Sequence, residues 1–540
     1  MPLQPTPQNP TPRHVPAPRR TGTGDRRPWL ALAVLVLPVL LVSVDTTVLS
    51  FALPAISTAL APSGTQLLWI VDAYPLALAG LLILMGSLGD RFGRRRLLLV
   101  GATGFGVVSL LAAFATSAEQ LVAARAALGV FGATLMPSTL SLLRSTFPDR
   151  ERRRTAFAVW AGAFAGGAAL GPVVGGWLLE HFWWGSVFLM NVPVMVLLLV
   201  LAPVFVRESK DPAPGPVDLL SAALAVVAMT GAVYGIKSVA KDGVAVEALL
   251  PLLVGAAVGV WFVRRQQSLR DPMLDVALFR VPVFRAAVLA NLLSILGMTG
   301  MLFATSQYLQ LVLDLRPVTA GLLLLPGAVV SISAGLLAAR LARRYPLATL
   351  IPLGLLLGTA GYAVAATLGP GGADAGRHAV QLALAFVVLS AGTGLAETLT
   401  NDAILATAPA ERAGAASAIS ETAYEVGAVL GTTVLGSLLT GVYRAGVQVP
   451  AAASAEQATA ARETLGGAVE VSGALAGTDA TALLESARAA FAHGVDATAL
   501  AGVALTLTAA VFVRRQLRRG ESTGAAPEAG RTAPVAGTRG

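Results

Sequence analysis

Long apolar runs separated by short polar breaks repeat along the chain from Trp29 to Val513. A helix needs about 20 apolar residues to cross the roughly 30 Å of hydrocarbon in a bilayer. Runs of that kind fall at 29–56, 67–88, 97–116, 119–143, 155–180 and 184–205, a first set of six. The polar stretch RESKDPAPGP follows, then two more runs at 217–237 and 246–263 and a charged connector over 264–285. A second set of six covers 286–312, 317–339, 346–368, 378–402, 412–442 and 494–513. The pattern predicts an all-α membrane protein with fourteen transmembrane helices, because backbone groups in lipid must find their hydrogen bonds inside the segment. It divides the chain into a disordered basic arm (1–28), a six-helix bundle (29–206), two inserted helices with their connector (207–285) and a second six-helix bundle (286–513). A loop at 443–493, in which one or two surface helices are expected, interrupts the second bundle, and a disordered tail (514–540) follows it.

Charge placement orients this map. Positive residues favour the cytoplasmic side, and 31 of the 39 Lys and Arg fall in segments that share a side with both termini. Seven, including Lys237 and Lys241, are assigned to the opposite side, and Arg125 lies inside a span. Both termini are therefore expected in the cytoplasm of a multi-pass plasma-membrane protein. Of the 540 residues 55% are hydrophobic and only 13% charged, too apolar a balance for one water-soluble core. The arginines sit in short clusters between apolar runs, as topology anchors do, so nucleic acid is not expected as a partner. With no cysteine, disulfides and thiolate metal sites are excluded. Neither a phosphate-cradling GxxxxGK[ST] stretch nor metal-ligand spacing occurs, so no cofactor, metal or enzymatic activity is expected. The N-terminal arm lacks the apolar core of a cleavable signal peptide.

A repeat links the two six-helix sets. GSLGDRFGRRR from Gly86 lies over GLLAARLARRY from Gly335, matching Gly86 with Gly335, Arg91 with Arg340, and Arg94 and Arg95 with Arg343 and Arg344. The offset of 249 residues suits two six-helix halves separated by a two-helix insert, and paired halves are the usual build of alternating-access carriers.

Charges inside the apolar runs carry the functional expectation. An ionised group at mid-bilayer is costly, so it faces a cavity, pairs, or takes up a proton. Asp45, Asp72 and Arg125 fall in three of the first four runs, and Glu397, Glu421 and Glu425 fall in the second set. Glu421 and Glu425 are i and i+4 and share a helix face. Two such carboxylates repel unless one is protonated or a cation bridges them, so a proton site and an organic-cation site can coincide. Trp69, Tyr74, Phe303, Tyr308 and Tyr424 are candidates to stack on a flat lipophilic cation, against the commoner reading of packing or interfacial anchors. His181 and Asp402 read as interfacial and helix-end residues.

Four motifs add a family. GSLGDRFGRRRLLLVG (86–101) resembles the loop between helices 2 and 3 of the major facilitator superfamily, and RAALGVFGATLMPS (125–138) resembles its helix 4 arginine motif. GAFAGGAALGPVVGGWL (162–178) is similar to the helix 5 glycine and proline motif of its antiporters, and VDTTVLSFALPAI (44–56) to the helix 1 motif of the fourteen-helix drug:proton antiporters. The second half departs at Ala339, which stands where the first has Asp90. The resemblance implies the major facilitator fold, two six-helix bundles plus two inserted helices, in a monomer that exchanges protons for amphipathic or cationic drugs. It makes Gly86, Asp90, Arg91, Gly93 and Arg94 a cytoplasmic gate, and Gly171, Pro172 and Gly175 part of a seal against leak. Asp45 becomes a proton or cation carboxylate tuned by Arg125, and Glu421 with Glu425 a second such region. A dedicated exporter of an endogenous metabolite or self-made antibiotic remains the alternative, with a non-transporting membrane sensor behind it.

Overall fold

The computed structural model describes residues 27–211, 217–242, 245–270, 272–368, 375–407 and 413–522; the expected arm up to residue 26 and the tail beyond 522 lie outside them. The first bundle comprises α1 (Arg27–Leu60), α2 (Gly64–Phe92), α3 (Arg94–Ala113), α4 (Ala118–Thr146), α5 (Arg150–His181), and the short α6 (Ser186–Leu189) running on into α7 (Asn191–Phe205). The inserted pair is α8 (Leu219–Asp242) and α9 (Val246–Ser268). The second bundle contains α10 (Pro282–Gln307), α11 (Pro317–Leu341), α12 (Leu347–Ala365), α13 (Ala375–Thr407), α14 (Ala413–Leu430) and α15 (Ser437–Gly446). It continues through two short helices, α16 (Ala455–Glu463) and α17 (Leu465–Ala474), into the long α18 (Gly477–Ser522). Among the described residues fourteen helical stretches are long and apolar enough to cross a membrane. That is the number the hydropathy pattern predicts. Boundaries move at both ends of the chain: α1 already includes Arg27, and α18 begins at Gly477, inside the loop expected over 443–493, and continues to Ser522 where a disordered tail was expected from 514.

Polar caps start the helices where the apolar runs begin. Ser63 and Gln66 form a reciprocal capping box at α2, and Ser117 and Asp149 accept backbone N–H groups at the starts of α4 and α5. Helix α14 passes into α15 through a π-helical turn at Gly431–Gly436, and α10 ends in another at Tyr308–Val312.

With fourteen crossings, the start of α1 and the end of α18 share one face, here the terminal face; α16 and α17 mark the opposite, hairpin face. The two bundles meet toward the hairpin face. There Arg316 pairs with Glu180 at 2.8 Å, the Gly64 N–H donates to Glu463 Oε2 at 2.8 Å, and the Ser57 and Thr464 hydroxyls lie 3.0 Å apart. Gln310 Nε2 donates to the Phe51 carbonyl at 3.2 Å. Helices α5 and α11 touch through glycine: a Cβ on Gly176 would lie 2.7 Å from the Pro317 carbonyl oxygen, and one on Gly321 would strike the Pro172 carbonyl. The inserted pair packs glycine on glycine, Gly231 against Gly255, and α8 leans on both α2 and α15.

Candidate functional site

Asp45 sits about 27 Å along α1, at 1.5 Å per residue from Arg27. It is 1% exposed and Arg125 on α4 is also 1% exposed. Their side chains meet at 2.9 Å between Arg125 Nη1 and Asp45 Oδ2. Asn191, at the start of α7, donates to Asp45 Oδ1 at 2.9 Å and to the Ser109 hydroxyl at 3.2 Å. Arg125 Nε donates to the Ile70 carbonyl at 3.1 Å, and its guanidinium lies 4.6 Å from the Tyr74 ring centroid. Both charges are thereby paired and hydrogen-bonded, the condition for keeping ions in a low-dielectric interior. Asn191 carried no signal in the sequence, where it is one polar residue within the apolar run 184–205.

Asp72 is 0% exposed and takes a different cation. Lys237 of α8 lies 2.8 Å from Asp72 Oδ2, and its ammonium is 4.0 Å from the Trp69 ring centroid. The Thr433 hydroxyl donates to Asp72 Oδ2 at 2.7 Å and the Thr432 hydroxyl to Oδ1. Both threonines lie in the π turn after α14, so α2, the inserted pair and the second bundle converge on one carboxylate. This corrects the charge map: Lys237, assigned to an exposed segment, is 2% exposed and lies within its span. The apolar run ended at that lysine, so hydropathy alone placed it in water.

Glu397, Glu421 and Glu425 present the opposite situation. Their side chains are closely surrounded by protein yet retain accessible surface, as groups lining an internal cleft do. Among the described residues, no hydrogen-bond donor or cation meets their carboxylates. Glu421 lies within electrostatic reach of both Glu397 and Glu425. Glu425 also lies within reach of Tyr74 across the interface between bundles. Beside them, Asn291 Nδ2 donates to the Ser420 carbonyl at 3.4 Å, and the Ser420 hydroxyl donates to Asn401 Oδ1. Tyr424, on the same helix, meets Phe164 of α5 edge to face at 6.1 Å, and Phe164 stacks on Trp160. Glu421 and Glu425 are about 12 and 18 Å into α14 from the terminal face, and Glu397 lies on α13.

The remaining candidates separate by place. Trp69 and Tyr74 each lie beside a buried cation, as above. Phe303 and Tyr308 are buried, Phe303 beside Gly436 and Tyr308 3.3 Å from His378 Nδ1. In the loop at 86–101, Arg94 Nε donates to Asp90 Oδ1 at 2.9 Å, and the Arg94 N–H donates to the Ser209 carbonyl at 3.0 Å. Gly93 holds φ +112°, a value that suits glycine. Glu208 then accepts the Arg95 and Arg96 N–H groups at 2.9 and 3.2 Å, a carboxylate at the positive end of α3. Arg91 is exposed and Gly86 lies 3.7 Å, by its notional Cβ, from Pro137. Among the described residues, no hydrogen bond or ion pair joins this loop to the second bundle. It is tied instead to the segment that leads to the inserted pair.

The glycine motif of α5 faces two ways. Cβ atoms on Gly171 and Gly175 would collide with Thr47 and Val48 of α1, inside the first bundle, whereas the Pro172 carbonyl and Gly176 face α11 in the second. Gly162 and Gly166 have nothing within 4 Å of a notional Cβ.

The profile of the Major Facilitator Superfamily matches residues 35–432. The chain is 52% identical over 508 residues to "Multidrug efflux pump LfrA" of Mycolicibacterium smegmatis, covering 94% of this chain and 99% of that protein. It is 37% identical to "Methyl viologen resistance protein SmvA" of Salmonella typhimurium, with 89% and 97% covered. It is 35% identical to "Tetracenomycin C resistance and export protein" of Streptomyces glaucescens, with 95% of each covered. Among solved structures, a bacterial homologue of the lysosomal transporter Spinster superposes with a TM-score of 0.62 at 18% identity, covering 95% of this chain and all of that one.

Proposed function

Since this chain belongs to the Major Facilitator Superfamily, we propose that it is an antiporter of the plasma membrane that exports amphipathic, often cationic drugs in exchange for protons. The observation that carries this reading is the contrast among its intramembrane charges. Asp45 and Asp72 are each neutralised by a fixed cation, whereas Glu397, Glu421 and Glu425 are accessible and meet no cation among the described residues. Carboxylates crowded in low dielectric favour binding either a proton or a cation, and one excludes the other. That competition couples two opposed fluxes. Phe164 and Tyr424 add an aromatic wall for a flat cation beside the acids.

The terminal face is the cytoplasmic one in this reading, so the structure is a state that loads cargo from inside while the hairpin face is sealed. Asp45 with Arg125 and Asp72 with Lys237 act as paired charges whose balance shifts as the bundles move, and the loop around Asp90 and Arg91 engages the second bundle when the terminal face closes. No covalent step is needed. The relatives named for multidrug efflux and methyl viologen resistance support a broad cationic cargo. The relative named for tetracenomycin C export supports a second reading, a dedicated exporter of one antibiotic.

Dye export from inverted vesicles under an imposed proton gradient tests the proposal. Export that collapses with the gradient is expected; export indifferent to it removes the coupling. A panel of unrelated cations separates the broad reading from the dedicated one.

A further inference from the structure

Asp72 and Trp69 form a cation site that is already filled. The Lys237 ammonium lies against a carboxylate at 2.8 Å and under an indole face at 4.0 Å, the pair of groups that recognises an organic monocation. The threonine hydroxyls on Asp72 complete the site from the second bundle. Lys237 Nζ and Asp72 Oδ2 form a close, charge-assisted pair at 2.8 Å, and the attraction between them is one that another monovalent cation can supply. Lysine is scarce here: the chain has three, at 210, 237 and 241. The helix that carries Lys237 belongs to the inserted pair, which neither six-helix bundle needs for its own completion. A buried ion pair is no better a packing element than apolar side chains of the same size, so stability alone does not explain a lysine at this junction.

Resting on the reading of the chain as an exporter of cations, we propose that Lys237 is a tethered counter-cation. It occupies the Asp72–Trp69 site and competes there with monovalent organic cations, so that cargo passing toward the hairpin face is not retained. The inserted pair thereby becomes part of the transport path and sets how weakly that site holds cargo.

Ethidium titration of the purified full-length protein in nanodiscs tests this. Lys237→Met is expected to bind ethidium about tenfold tighter, the scale of one desolvated cation–aromatic contact with a freed carboxylate. Lys237→Arg is expected to stay within about twofold of the wild type. Asp72→Asn/Lys237→Met is expected to lose the gain. Unchanged affinity in a monodisperse Lys237→Met protein, or a gain that survives in the double variant, overturns the proposal. A wild-type readout stands independent of variant folding. Saturating tetraphenylphosphonium is expected to raise acetylation of Lys237 by an amine-reactive reagent several-fold, read by mass spectrometry against exposed Lys210 as the internal control. Unchanged or reduced labelling of Lys237 also overturns it. Loss of gradient-driven export by the wild type tells against the transport reading and leaves these binding arms standing.

Discussion

Replacing Arg125 by methionine leaves the Asp45 carboxylate 99% buried with a single remaining partner, the Asn191 amide at 2.9 Å. Two unit charges about 4 Å apart attract by roughly 4 kcal/mol at an effective dielectric constant near 20. Breaking a buried pair by removing one member costs about 3–5 kcal/mol, because an uncompensated charge stays behind. Asp45→Asn strands the guanidinium in the same way, with only the Ile70 carbonyl and the Tyr74 face to hold it. Removing both charges in Asp45→Asn/Arg125→Met leaves neither stranded. The double variant is therefore expected to be about as stable as either single one or more so, giving a coupling energy of about 3 kcal/mol or more. Denaturant titration of the four proteins in mixed micelles measures it as a double-mutant cycle. Additive losses, within the roughly 0.5 kcal/mol expected of independent sites, refute the claim that the two groups form one electrostatic unit.

Other consequences follow from the same geometry. Gly176→Ala pushes a methyl group toward the Pro317 carbonyl at 2.7 Å, so it strains the seal between bundles. Disulfide formation between cysteines placed at 180 and 316 is expected to slow several-fold, which a background without native cysteine makes readable; crosslinking at the parental rate contradicts this. Gly175→Val acts within the first bundle, where Val48 Cγ2 lies 2.5 Å from a notional Cβ. Its signature is lost folded protein, about 1–3 kcal/mol by overpacking, measured as yield and thermal stability. Glu208→Ala removes the acceptor for the Arg95 and Arg96 N–H groups and is expected to cost about 1 kcal/mol at the start of α3. An unchanged melting temperature argues against that cap.

Fold and site were legible to different depths. The number of membrane-crossing helices could be read from the sequence because hydrocarbon imposes a length and a composition on each helix regardless of its neighbours. The candidate charges could be found for the same reason: Asp45, Asp72, Arg125 and the three glutamates interrupt apolar runs. Their partners could not. Lys237 sits at a run end, where hydropathy assigns polar residues to water, and only the packing of α8 on α2 carries it inside; Asn191 lies within a run, but nothing there marks it until α7 packs on α1. Thr432 and Thr433 look like ordinary membrane-helix threonines until the π turn sets both against Asp72. The α5 glycine motif was recognisable by its resemblance to that of the antiporters, but which glycines face α1 and which face α11 depends on how two bundles lean together. Phe164 escaped notice because one more phenylalanine in an apolar run marks nothing until Tyr424 stands opposite.

The account turns on Glu397, Glu421 and Glu425 trading protons for cargo, and proton release on binding reads that exchange without transport. Adding tetraphenylphosphonium to the purified protein in weakly buffered solution is expected to release about one proton per cation bound near the pH where the cluster is partly protonated. Glu397→Gln/Glu421→Gln/Glu425→Gln is expected to release none. Cation binding without proton release in the wild type, or release undiminished in the triple variant, contradicts the account.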